Sequence, residues 1–96
     1  MHIVNTTFRL VDGVSDVDFK QVDARFQEEF AYQQKGMLRR TTARNDDGVW
    51  LVMTLWDSAE SAEGEKNVTP EGMAALTRMH ECINFDTHKL ESYNTL

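Results

Sequence analysis

A chain of 96 residues supports one small domain, because at this size only about 60–65% of the unfolded surface can be buried. Sixteen acidic residues against 10 basic ones leave a net charge of -6. Their scatter along the chain excludes a counterion-displacing nucleic-acid surface and an anionic membrane surface as partners. A single cysteine, Cys82, rules out an intrachain disulfide. With no run long enough to span a membrane and no basic–apolar leader at the N-terminus, the chain is expected to be cytoplasmic.

Residues 2–10 are rich in β-branched and aromatic types and predict a first strand. Alternation puts Val4, Thr6, Phe8 and Leu10 on one face and Ile3, Asn5, Thr7 and Arg9 on the other. After Asp12-Gly13, Ser15 and Asp18 have the spacing of a capping box. Phe19, Val22, Phe26 and Phe30 then recur as one helical stripe. A wet end at Gln33 and Lys35 follows, with Gly36 as the expected C-terminal cap.

The next stretch, Gly36 to Ser58, predicts two strands joined by the Asn45-Asp46-Asp47-Gly48 turn. In the second strand Trp50, Val52, Thr54 and Trp56 point one way and Leu51, Met53 and Leu55 the other. Neither side is built for water. Asp57 and Glu60 then have capping spacing for a weak helix, and Thr69-Pro70 starts a clearer one. On that helix Met73, Leu76, Met79, His80 and Ile83 share a face. The run Phe85–Tyr93 alternates enough for a last, edge-type strand.

The order is β-α-β-β-α-β over residues 1–96, a single ferredoxin-like α+β domain with a four-stranded antiparallel sheet. Two helical segments cover one face of that sheet. The other face keeps large apolar side chains, whichever set of the central strand it carries, so a homodimer packed through the open face is expected.

Lys35-Gly36-Met37-Leu38, the charged hairpin turn, and Trp50 to Leu55-Trp56-Asp57-Ser58 leading into an acidic-alanine helix resemble the dimeric α/β-barrel superfamily. Within it they are most similar to antibiotic-biosynthesis-monooxygenase-like domains. The resemblance covers nearly the whole chain in element order. It implies two sheets forming a barrel across a dimer, with a small pocket between sheet and helices in each protomer. It also implies two chemistries: oxidation of phenols to quinones by molecular oxygen without metal or flavin, and haem binding or degradation.

For the phenol oxidases, the tryptophan ending the third strand is matched by Trp56, while the asparagine four residues before it is replaced by Val52. Asn5, Arg40 and His80 are the candidates to take its place. For the haem degraders, Asn5 and His80 match, but the helical tryptophan expected near Glu65 is missing.

The resulting expectation is a cofactor-independent oxygenase-like protein acting on or binding a small phenol- or quinol-type aromatic. His80 and Asn5 would handle proton and oxyanion, and Trp56, Arg40, Phe26 and Met73 would line the pocket. No metal site and no cofactor are expected, with haem the remaining alternative. The competing reading is a non-catalytic dimeric binding or stress-associated module. An enzyme requires His80 and Asn5 to converge in one cavity. A structural dimer requires their hydrogen bonds to close on backbone with no cavity left.

Overall fold

The computed structural model describes residues 1–96. Its elements are β1 (His2–Leu10), α1 (Asp16–Glu29), a single 3-10 turn (Ala31–Gln33), β2 (Met37–Arg44), β3 (Trp50–Trp56), α2 (Ala59–Glu63), α3 (Pro70–Cys82) and β4 (Ile83–Asn94). All pairings are antiparallel, in the sheet order β2-β3-β1-β4. This is the expected ferredoxin-like arrangement, with the two most apolar strands in the centre and the polar ones at the edges.

The β1–β3 register joins His2 to Trp56, Val4 to Thr54, Thr6 to Val52 and Phe8 to Trp50. These pairs share the face covered by helices, where Phe8, Trp50 and Trp56 are buried. The alternate pairs, Ile3–Leu55, Asn5–Met53 and Thr7–Leu51, occupy the open face and are half-buried by their neighbours alone. The core gathers at one end of the covered face: Phe8, Phe19, Trp50, Met79 and Cys82 pack together. Phe19 stands edge-on to both Phe8 and Trp50, with ring centroids 5.6 and 4.7 Å away. Burying such a ring stabilises by about 1.5–3 kcal/mol.

Three local details differ from expectation. Helix α1 starts as predicted, with the Ser15 hydroxyl accepting from the Asp18 amide at 3.1 Å, but it stops at Glu29. The chain then tightens into the 3-10 turn. There Gln34 ties it to the α2–α3 connection: its Nε2 donates to the Phe30 and Asn67 carbonyls at 2.9 and 2.8 Å, and its Oε1 accepts from the Asn67 amide at 2.6 Å. Gly36 therefore caps no helix. It sits at φ +86° in the entry to β2, where a Cβ would lie 2.5 Å from Asp57 and Ser61.

The second difference is the cap of α2. The Ser58 hydroxyl, one residue after the predicted Asp57, accepts from the Ser61 amide at 3.1 Å. Thr69 and Pro70 open α3 as expected, with the Thr69 hydroxyl accepting from the Gly72 amide at 2.9 Å.

The third difference is in β4, which starts at Ile83 and carries a large bulge. Thr7 pairs with Lys89 and Arg9 with Asn84, so Phe85–His88 stand opposite Phe8 alone. The Thr87 hydroxyl holds the bulge, donating to the Asn84 carbonyl at 2.7 Å and accepting from the Arg9 amide at 2.8 Å. Bulges of this kind re-aim side chains at sheet edges.

Two glycines separate backbone strain from steric conflict. At Gly13 φ is +91° with nothing within 4 Å of an added Cβ, whereas at Gly36 the Cβ collides. Gly13→Ala is expected to cost about 1–2 kcal/mol from the backbone alone. Gly36→Ala should cost about 1–3 kcal/mol beyond that, from overpacking. Urea midpoints of the two variants check this; equal losses would refute the steric account.

Candidate functional site

Side-chain size along the covered face of the central strands creates a cavity. Phe8 and Trp50 fill one end and Trp56 closes the other. Between them stand the smaller Thr6, Val52 and Thr54. Phe19 of α1 and Met79 and Cys82 of α3 pack on the Phe8–Trp50 end, and the helices do not fill the dip beside it. The space left is about 250 Å³, lined by 18 residues of which 11 are hydrophobic.

Trp56 presents its ring to this space with its own polar group satisfied, since Nε1 donates to the Thr54 hydroxyl at 2.9 Å. Phe26, stacked on Phe30 at 5.1 Å, forms the wall under α1. Arg40 enters from β2, its backbone pinned by the Tyr32 hydroxyl, which accepts from the Arg40 amide at 3.0 Å. Its guanidinium lies 5.1 Å from the centre of the Phe26 ring and donates to Asp23 at 2.6 Å and to Gln27 at 3.3 Å. The Arg40 and Asp23 side chains are only 2% and 12% exposed.

Lys66, from the α2–α3 connection, turns inward beneath Trp56, its Nζ 5.0 Å from the ring centre. Burial pulls its pKa below the usual lysine value. At the mouth, His80 from the last turn of α3 stands edge-on to Phe85 at 5.4 Å, and Phe85 lies 5.4 Å from His88. The β4 bulge brings Phe85 and His88 there. His80 is exposed, so an imidazole at the rim faces both solvent and cavity.

Of the candidates named from sequence, His80, Trp56, Arg40 and Phe26 meet in this one cavity. Two do not. Asn5 pairs with Met53 on the open face, because strand alternation sends it away from Thr6 and Phe8. Its Oδ1 is buried without a hydrogen-bond partner. The expected convergence of Asn5 with His80 is therefore corrected.

Met73 is 48% exposed and does not line this cavity. Helix α3 packs instead on Gly72, Ala75, Met79 and Cys82. A Cβ on Gly72 would lie 2.9 Å from the Glu29 carbonyl, so the helix approaches α1 on its small-residue side and turns Met73 outward. Cys82 is fully buried, and desolvation pushes its thiol pKa up, which makes it an inert core residue.

Sequence reasoning missed Lys66, Gln34 and His88. A lone lysine in a loop carries no signal. His88 reaches the cavity only because of the bulge, for which the closing Asn84–Thr87 turn is the sole trace in the sequence. No group of three or more His, Cys, Asp or Glu side chains converges as a metal site.

The chain was compared with solved structures. SnoaB from Streptomyces nogalater, a cofactor-independent oxygenase, superposes with a TM-score of 0.75 over 99% of this chain and 92% of its own, at 18% identity. Its fold is that of the antibiotic-biosynthesis-monooxygenase-like proteins. Two proteins assigned as antibiotic biosynthesis monooxygenases agree. The one from Nitrosomonas europaea has a TM-score of 0.75 at 13% identity, over 100% of this chain and 99% of its own. The one from Chloroflexus aurantiacus has 0.74 at 15%, over 99% and 92%. No family model and no curated protein sequence matches the chain.

The Arg40–Asp23 pair gives the site a stability test. Asp23→Asn leaves the guanidinium buried without its counter-charge and should cost about 3–5 kcal/mol. Replacing both partners by Met and Leu should restore most of that loss. Chemical denaturation of the three variants checks it. A single variant as stable as wild type would show the pair to be energetically idle.

Proposed function

We propose that this protein binds a small phenol- or quinol-type aromatic in the sheet–helix cavity and oxidises it with molecular oxygen, without a cofactor. The observation that carries the reading is the cavity itself, an apolar space of about 250 Å³ walled by Trp56 and Phe26 with the His80 imidazole at its rim. Drug-sized ligands occupy roughly 300–1,000 Å³, so the volume suits one or two rings. The fold shared with SnoaB, a cofactor-independent oxygenase, supports the reaction class.

The chemistry asks little of the protein. An ionised phenol is electron-rich enough to reduce oxygen directly. His80 accepts the phenolic proton, and the cavity keeps the reacting carbon dry. One oxygen atom bonds to the ring carbon para to the phenolic oxygen and becomes the second quinone oxygen. The other leaves as water with the two hydrogens lost from the substrate. The substrate supplies all the electrons.

Haem fits the site poorly. A tetrapyrrole exceeds the available space of about 250 Å³, and His80 is packed against Phe85, itself beside His88.

The test uses 1,5-dihydroxynaphthalene in an oxygen electrode. One O₂ should be consumed per hydroxynaphthoquinone formed, and His80→Gln should lower the rate about 10²-fold, the usual worth of a positioned general base. Saturable binding with no oxygen uptake would replace this reading with that of a non-catalytic binding module.

The open sheet face belongs to the same proposal. Ile3, Leu51, Met53 and Leu55 surround the unpartnered Asn5 Oδ1 there, a surface suited to a second copy of the chain. Light scattering should give the mass of a homodimer, and Met53→Glu, in the middle of that face, should give a folded monomer. A wild-type monomer would refute this assembly.

A further inference from the structure

The charge around the cavity is the reverse of the charge of the chain. The protein carries -6 overall, yet none of the 18 lining residues is a carboxylate, while Arg40, Lys66, His80 and His88 are all among them. Arg40 has its counterion in Asp23, and the other ion pair, Arg44–Asp16, lies elsewhere on the surface. Lys66 has no counterion.

A loop lysine ordinarily extends its ammonium into water. This one folds inward and is half-buried, its Nζ donating to the carbonyls of Ala62 and Gly64 at 2.8 Å each and of Ser61 at 3.3 Å. Carbonyl oxygens satisfy its N–H groups but bring no formal charge. Of the two permanently charged cations of the wall, Arg40 is offset by Asp23 and Lys66 alone is left without a counter-charge. Charges removed from water normally find a partner of opposite sign. The Ser61 contact is the longest of the three and the one a stronger acceptor would displace.

We infer that the ligand of this cavity is a monoanionic aromatic acid whose carboxylate is the missing counterion of Lys66 while its ring lies against Trp56. The inference rests on the reading of the cavity as an aromatic-binding site and narrows that class to aryl carboxylates. Such a ligand brings to the wall the one charge it lacks.

Calorimetric titration with 2-naphthoate and with 2-naphthol separates the two levels. The wild type should bind 2-naphthoate about tenfold or more tightly than 2-naphthol, the advantage of a charge-assisted hydrogen bond. Lys66→Gln should bring the two affinities together, and Lys66→Arg should restore the difference. Raising NaCl from about 20 mM to about 500 mM should weaken 2-naphthoate alone, a readout that needs no variant.

Equal affinity of the two probes would overturn the inference and leave the aromatic site standing. A Lys66→Gln variant that is less stable yet keeps the preference would also overturn it, reducing Lys66 to a cap for α2. Failure of both probes to bind would overturn the aromatic site as well.

Discussion

A strand that is apolar on both sides must be covered on both sides, and β3 imposes that condition on everything around it. Its Trp50, Val52, Thr54 and Trp56 require α1 and α3 on one face. Its Leu51, Met53 and Leu55 leave the other face without a layer from this chain. The sheet is therefore a partition with two different surfaces. One is folded over by the chain's own helices and holds a cavity; the other carries an apolar row that no element of this chain covers.

The cavity follows from the same strand. The helices pack on the bulky Phe8–Trp50 end of the covered face, and the smaller Thr6, Val52 and Thr54 leave space beside it that Trp56 closes off. Its chemistry comes from outside the central strands. Arg40 arrives from one edge strand, His88 from the bulge of the other, His80 from the end of a helix and Lys66 from a loop. A rigid interior thus sets the size of the site while peripheral segments set its polarity, the usual division between scaffold and functional loops.

The sequence was legible wherever a period or a cap carried the signal. β1 and β3, the start of α1, the Thr69-Pro70 start of α3 and the element order all follow from alternation, helical spacing and capping chemistry. What was not legible depended on contacts between distant segments. The stripe of α3 read as Met73, Leu76, Met79, His80 and Ile83, but close approach at Gly72 turned Met73 out, and the helix ends at Cys82 so that Ile83 opens β4. Alternation itself placed Asn5 opposite Thr6, so its absence from the cavity was decidable once Phe8 and Trp50 were assigned to the helix side. That assignment needed the structure, since both faces of β3 are equally apolar. The α1 stripe extended past Glu29 on paper, yet Gln34 found better partners in the chain around Asn67 and ended the helix early.

The position of β1 in the sheet has a consequence for how the molecule is made. β1 is synthesised before both of its sheet neighbours, β3 and β4, and it joins residues as far apart as His2 and Asn94, whose side chains meet at 2.8 Å. Its partners emerge only after the middle and the end of the chain have been synthesised. Until then Ile3, Val4 and Phe8 wait without a neighbour on either edge, and the long-range pairings that finally cover them are of the slowly forming kind. Most of the net -6 lies in the second half of the sequence, so while β1 waits for its partners, charge repulsion does little to protect its open edges from unwanted association.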